Sequence, residues 1–331
     1  MEATNPICDF TCRICGNPKN NKIYKVREMM YGIREVFDYA ECGECKCLQL
    51  INAPADMSKY YPSDYYSFKK NPETTSKKSK TIKDYLHRKK KLYHITGRSL
   101  LGWIANRISP LNDAYPHISK AGIRKSSSIL DIGCGNGEFL YDLKDLGFKH
   151  ALGADPYIKR DITYRNGLKI MKKSIFDIDG KFDLIMLHHS FEHMDEPLKV
   201  LHAVYQLLKP NGTCLIRIPT VSSYAWEHYR ENWNQIDAPR HFFLHSIKSM
   251  ELLSSKTGFY IENVIYDSMS FQFWASEQYI RDIPLLAENS AYVNWKKSIF
   301  SIDEFHAFTA KAQELNKQNL GDMAAFFLKK V

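Results

Sequence analysis

The stretch "ILDIGCGNGEFL", residues 129–140, places a glycine-rich loop between an apolar run and a helix start. This is the layout of a ligand loop at the end of a strand, and the glycine spacing says which ligand. A triphosphate loop needs Lys followed by Ser or Thr after its last glycine, and no Lys follows here. A dinucleotide loop needs G-x-G-x-x-G, but the third position is Glu138 counted from Gly133, and Leu140 counted from Gly135. The spacing is G-x-G-x-G, through Gly133, Gly135 and Gly137. Charge agrees with spacing. Asp131 precedes the loop and Glu138 opens the helix, and two carboxylates repel a pyrophosphate. They suit a cationic ligand without phosphate. S-adenosylmethionine, with a sulfonium, an amino group and a ribose, meets that description.

Downstream of the loop, strand and helix signals alternate. "HALGADPY", "LKIMKKSIFDI", "KFDLIMLHHS", "TCLIRIPT" and "YIENVIYD" read as strands. "EFLYDLKDLGF", "EPLKVLHAVYQLLKPNG" and "SIKSMELLSSKTGF" read as helices, the last capped by Ser246. Such alternation predicts an α/β fold, Rossmann-like, with a mostly parallel seven-stranded sheet and helices on both faces. Asp155 falls at the end of the second strand, where a carboxylate can accept both ribose hydroxyls. Asp177, after the third, could accept from an adenine amino group, with Ile178 against the ring.

"ILDIGCGNGEFL", "GADPY", "SIFDI", "KFDLIMLHHSFEHMDEP" and "LLKPNGTCLIRIP" occur in that order across residues 129–219. Together they resemble the class I S-adenosylmethionine-dependent methyltransferases. The resemblance implies cofactor contacts at Asp131, Gly133, Cys134, Gly135, Gly137, Asp155, Pro156, Asp177, Ile178 and His188.

Six of the eight cysteines lie in the first 47 residues. Cys12-x-x-Cys15 and Cys42-x-x-Cys45 form two CxxC pairs with a loop between them, a tetrahedral zinc signature resembling a zinc ribbon. Gly16 and Gly43 permit tight turns there, Cys8 and Cys47 are surplus, and the metal is expected to be structural. The run that follows, "INAPADMSKYYPSDYYSF", with the ribbon, resembles the N-terminal part of bacterial methyltransferases of surface-polysaccharide and sugar pathways. Tyr65 and Tyr66 are the candidates there for stacking on a sugar.

The organisation expected is a ribbon-like module at 1–68, a basic helical linker at 69–110, the methyltransferase domain at 111–282 and a C-terminal helical extension at 283–331. Residues 69–91 carry +8 of the chain's net +9, so the molecule has one basic segment and no broad basic face. No run spans a bilayer and the N-terminus lacks a signal-peptide layout, so the expected location is cytoplasmic.

Methyl transfer to a hydroxyl requires a proton acceptor. "HHSFEH" supplies His188, His189, Glu192 and His193 after the fourth strand. "SSYAWEHYRENWNQIDAPRHFFLHS", inserted before the next helix, supplies His241 as base or acceptor ligand. Arg240 is a candidate anion clamp, Asp237 its orienting partner, and Trp226 and Trp233 candidate pocket walls. No Asn- or Asp-Pro-Pro-Tyr follows the fourth strand, which argues against amino-group methylation of adenine or glutamine. No Pro-Cys stands there either, which argues against cytosine carbon-5 chemistry. The reading is O-methylation of a sugar or nucleotide-sugar. RNA gripped by the ribbon and the lysine run is the rival acceptor, and a non-catalytic interaction protein on this scaffold is a third reading.

Overall fold

The computed structural model describes residues 10–62, 72–75, 82–109 and 115–331. Three strands, β1 (Lys22–Arg27), β2 (Val36–Glu41) and β3 (Leu48–Leu50), follow the first CxxC pair. Helices α1 (Ile82–Thr96), α2 (Leu100–Ile108) and α3 (Tyr115–Lys120) come next. The glycine loop then joins β4 (Ser128–Ile132) to α4 (Glu138–Asp145). After it run β5 (His150–Ala154), β6 (Ile162–Thr163), β7 (Lys169–Met171), β8 (Phe182–His188), α5 (Pro197–Leu207) and β9 (Leu208–Pro219). The chain ends with α6 (Tyr224–Tyr229), β10 (Phe243–Leu244), α7 (Ile247–Lys256), β11 (Phe259–Tyr266), α8 (Phe271–Ile280), α9 (Ile302–Lys317) and β12 (Met323–Lys330).

The main sheet has eight strands in the order β11-β12-β9-β8-β4-β5-β7-β6, one more than the sequence suggested. β4 pairs in parallel with β5 on one side and with β8 on the other. The strand order reverses at β4, so a crevice opens at the carboxyl ends of β4 and β8, where ligands bind in open α/β sheets. Near-continuous apolar runs such as "LIML" in β8 are buried because helices cover both faces.

The expected division at residue 282 does not describe the fold. β12 pairs antiparallel with both β9 and β11, so the last strand lies inside the sheet. Its Phe326, Phe327 and Leu328 are buried. Residues 283–331 are therefore not an all-helical extension.

The ribbon is also no separate module. β10 pairs with β3, completing a four-stranded sheet β1-β2-β3-β10. "DAPRHFF" thus ends as a strand of the ribbon sheet. The Tyr39 hydroxyl donates to the His241 carbonyl at 2.8 Å, and the Leu50 amide donates to the Phe242 carbonyl at 3.0 Å. Trp226 and Trp233 pack in this joint with Tyr39 and Leu48.

Candidate functional site

The four predicted zinc ligands converge. One sulfur from each of Cys12, Cys15, Cys42 and Cys45 lies within 4.8 Å of the others, with Cys12 and Cys45 3.6 Å apart and Cys15 and Cys42 3.5 Å apart. Tetrahedral Zn–S bonds place sulfurs about 3.8 Å apart, so the set is compatible with zinc. Amides of Ile14, Glu44 and Cys45 point at sulfurs, as charged thiolates require. The turn role expected of Gly43 falls to Lys46, whose φ of +60° matches +77° at Gly16. Gly43 serves close approach instead, since a Cβ there would stand 2.5 Å from the Asn20 carbonyl oxygen. Cys47 turns away toward the Leu244 carbonyl, and Cys8 lies outside the described residues.

At the crevice a cavity of about 830 Å³ takes in both the glycine loop and the histidines at and after the end of β8. Its walls include Asp131, Gly133, Cys134, Gly135, His188, His189, Glu192, His193, Asp237 and His241. Gly133 has φ +73°, and an added Cβ would sit 2.4 Å from the Ser190 Cβ, so β4 and β8 approach here without room for a side chain. Asp155 braces the loop, its Oδ2 accepting from the Gly135 amide at 2.9 Å and its Oδ1 from the Tyr157 amide at 2.8 Å. Gly137 caps α4 from the left-handed region, at φ +70°, and neither it nor Asp155 is among the cavity walls.

Asp131 is buried and its Oδ1 has no hydrogen-bond partner. Burial, with the charge of Asp155 beside it, pushes its pKa well above the usual carboxylate range. A cationic donor in the cavity would relieve both. This is the observation by which the residues fit an S-adenosylmethionine-like ligand. His188 is pushed down to about 3 by burial, then by Arg217, and so stays a neutral ring, set edge-on to Phe139.

Three cofactor expectations need correction. Asp177 is exposed and accepts from the Ser174 hydroxyl at 2.6 Å, capping its own turn. Ile178 is packed in the main core, not against the cavity. Pro156 is exposed and is not among the cavity walls.

Glu192, His193 and His241 come together, one ligand atom from each lying within 4.8 Å of the others. The His193 Nδ1 donates to the Arg240 carbonyl at 2.9 Å and also meets the Tyr61 hydroxyl at 3.1 Å. The His241 Nδ1 donates to the Gln235 carbonyl at 2.8 Å. Carbonyls only accept, so each Nδ1 carries a proton, and Nε2 is the nitrogen left to meet a ligand. Glu192 is buried and neither carboxylate oxygen has a hydrogen-bond partner, the His189 Nδ1 standing 3.6 Å away. Burial pushes the Glu192 carboxyl up, but the surrounding histidines outweigh it and hold it at about 2. His189 meets Arg217 through its Nε2.

The acceptor-side candidates divide. Asp237 lines the cavity, 3.8 Å from the His241 Nε2. Arg240 is not a clamp for a ligand. It is fully buried, holding the Glu28 Oε1 at 2.9 Å, the Asp237 Oδ1 at 2.6 Å and the Tyr60 carbonyl at 3.4 Å. Trp226 and Trp233 are buried and not among the cavity walls, their indole N–H groups directed to Glu41 and to the wall residue Asp322. Tyr65 and Tyr66 lie outside the described residues, although Tyr61 of the same run reaches His193. Sequence reasoning missed Arg217 and Asp267, an ion pair at 2.6 Å on the cavity wall, to which His117 adds a bond at 2.7 Å. A charge inside the apolar "CLIRIP" was the available signal for Arg217.

Residues 103–264 match the family model described as a methyltransferase domain. The chain is 26% identical to phosphoethanolamine N-methyltransferase 2 of Caenorhabditis elegans, covering 66% of this chain and 53% of that protein. It is 35% identical to a ubiquinone biosynthesis O-methyltransferase of Nitrosococcus oceani over 31% of this chain and 50% of that one. The chain thus spans about half the length of these curated relatives. The cyclopropane synthase MmaA2 of Mycobacterium tuberculosis overlays with a TM-score of 0.41 at 16% identity, covering 64% of this chain and 80% of that one. The family-model match supports a methyltransferase domain within residues 103–264. No helix among the described residues is long and apolar enough to cross a membrane.

Proposed function

We propose that this chain is an S-adenosylmethionine-dependent O-methyltransferase acting on a small hydroxylated acceptor, a sugar or nucleotide-sugar of surface-glycan synthesis, with a structural zinc ion in its ribbon. The observation that carries the reading is that one cavity takes in both the glycine loop and the Glu192–His193–His241 cluster. Its volume suits a cofactor and a small acceptor side by side.

When bound, S-adenosylmethionine supplies an electrophilic methyl on a cationic sulfur. Asp131 would accept from the cationic end of the ligand, and the backbone from Gly133 to Gly137 would follow its length closely. Asp155, expected to take the ribose hydroxyls, is not among the cavity walls and would act by bracing the loop at the Gly135 amide. In the histidine cluster, the Nε2 of His241 or His193 receives the acceptor hydroxyl and its proton, with Glu192 and Asp237 stabilising the positive charge. The enzyme's main contribution is to hold oxygen and methyl in line.

The described part of the basic segment supports this reading over RNA. Lys91 pairs with Asp142 of α4 at 2.5 Å, and Lys90 donates to the Ser109 carbonyl at 2.8 Å. Both bonds tie α1 into the fold. The test is His241→Ala, assayed for cofactor affinity by calorimetry and for turnover. Turnover should fall at least about 100-fold, the usual worth of a proton acceptor, with affinity for S-adenosylhomocysteine unchanged. Full activity in that variant would remove His241 from the chemistry.

A further inference from the structure

We propose that Glu192, His193 and His241 form a second metal site, which holds one divalent first-row transition ion in the cavity, apart from the four cysteines. The deepening rests on the acceptor reading above only for what the ion would do, not for whether it binds.

Four features of the cluster point to a cation. The three side chains bring one donor atom each to within 4.8 Å of one another. The Glu192 carboxylate is fully buried with no hydrogen bond to either oxygen, its nearest partner being the His189 Nδ1 at 3.6 Å, which leaves lone pairs for a cation in the cavity. The two rings have their Nδ1 atoms fixed on the carbonyls of Arg240 and Gln235, which is how metal-bound histidines are oriented and their tautomer set. Asp237, whose Oδ2 also accepts from the Arg240 Nε at 2.9 Å, stands 3.8 Å from the His241 Nε2, and it shares Arg240 with Glu28, so the group keeps a net negative charge.

The donor set selects the ion. Two imidazoles and one carboxylate suit zinc, iron, manganese or nickel, whereas magnesium and calcium ask for oxygen ligands. Three protein ligands leave coordination positions open toward the cavity, the arrangement of a catalytic ion and unlike the closed set of four thiolates. With the ion bound, His241 is a ligand and no longer a base. A hydroxyl coordinated beside it loses its proton to water, because the ion stabilises the oxygen anion left behind.

The test is titration of the full-length, metal-depleted protein with cobalt(II), followed by visible absorption. Two equivalents are expected. One carries the thiolate-to-cobalt charge-transfer band of the cysteine site. The other shows ligand-field bands only. Glu192→Gln, His193→Gln and His241→Asn should each weaken the second equivalent by more than about 10-fold and leave the thiolate band intact, which also reports that the variant is folded. A variant that loses both bands has misfolded, and the remaining variants decide. A single equivalent per chain, with the thiolate signature, overturns the proposal, as does a second equivalent that survives all three substitutions. If both ions bind but no acceptor is methylated, the metal site stands and the O-methyltransferase reading falls.

Discussion

Gly133 joins sequence to chemistry through one missing atom. Its φ of +73° and the 2.4 Å approach to the Ser190 Cβ leave no place for a side chain. A left-handed non-glycine residue costs about 1–3 kcal/mol before any clash is counted. Gly133→Ala should therefore weaken S-adenosylhomocysteine binding by about 10-fold or more in calorimetry, and unchanged affinity would show that the loop is not the cofactor's seat. Asp322, a cavity-wall carboxylate that accepts from the Trp233 indole at 3.0 Å, makes a second testable case. Burial raises its pKa to about 6, against about 3.9 in an unfolded chain. The folded state holds the proton more tightly. The contribution to stability is thus complete below about pH 4 and lost as pH rises through 6. Between pH 4 and 7 the parent protein should lose about 2 kcal/mol of unfolding free energy relative to Asp322→Asn. Parallel curves for the two proteins in denaturant titrations at both pH values would refute this.

The strands and helices show what patterning can and cannot reveal. The glycine loop, β4, β5, β8 and the Ser246-capped α7 were legible because period and caps are local signals. β12 was missed. Its "MAAFFLKK" follows a long helix, and nothing local says that an apolar run will enter a sheet between β9 and β11. Trp226, Trp233 and Arg240 were misread for a related reason. Composition marks an aromatic, charged insertion, but only the tertiary fold shows that Glu28, 212 residues away, meets Arg240. The histidines that line the cavity were visible as a group in "HHSFEH" and "DAPRHFF", whereas the carbonyls that fix their Nδ1 protons were not. Because β12 lies within the sheet, a chain ending at Lys317 should be insoluble or fail to unfold cooperatively. A soluble truncated chain with unchanged unfolding would contradict the placement of that strand.

In the whole molecule the ribbon and the sheet domain act as one piece. β10 pairs with β3, and His241, two residues before it, is part of the cavity wall. The Phe242 amide donates to the Glu192 carbonyl at 2.8 Å, so the cysteine site holds the loops that present Glu192 and His241. The basic excess is confined to one segment. The measurement to make first is transfer of a labelled methyl group from S-adenosylmethionine to host-cell extract divided into RNA, nucleotide-sugar and polysaccharide pools. Label should enter the sugar pools, persist at high salt and vanish with His241→Ala. Label in RNA with a steep salt dependence would contradict the acceptor assignment. Absence of both transfer and cofactor binding would contradict the enzyme itself.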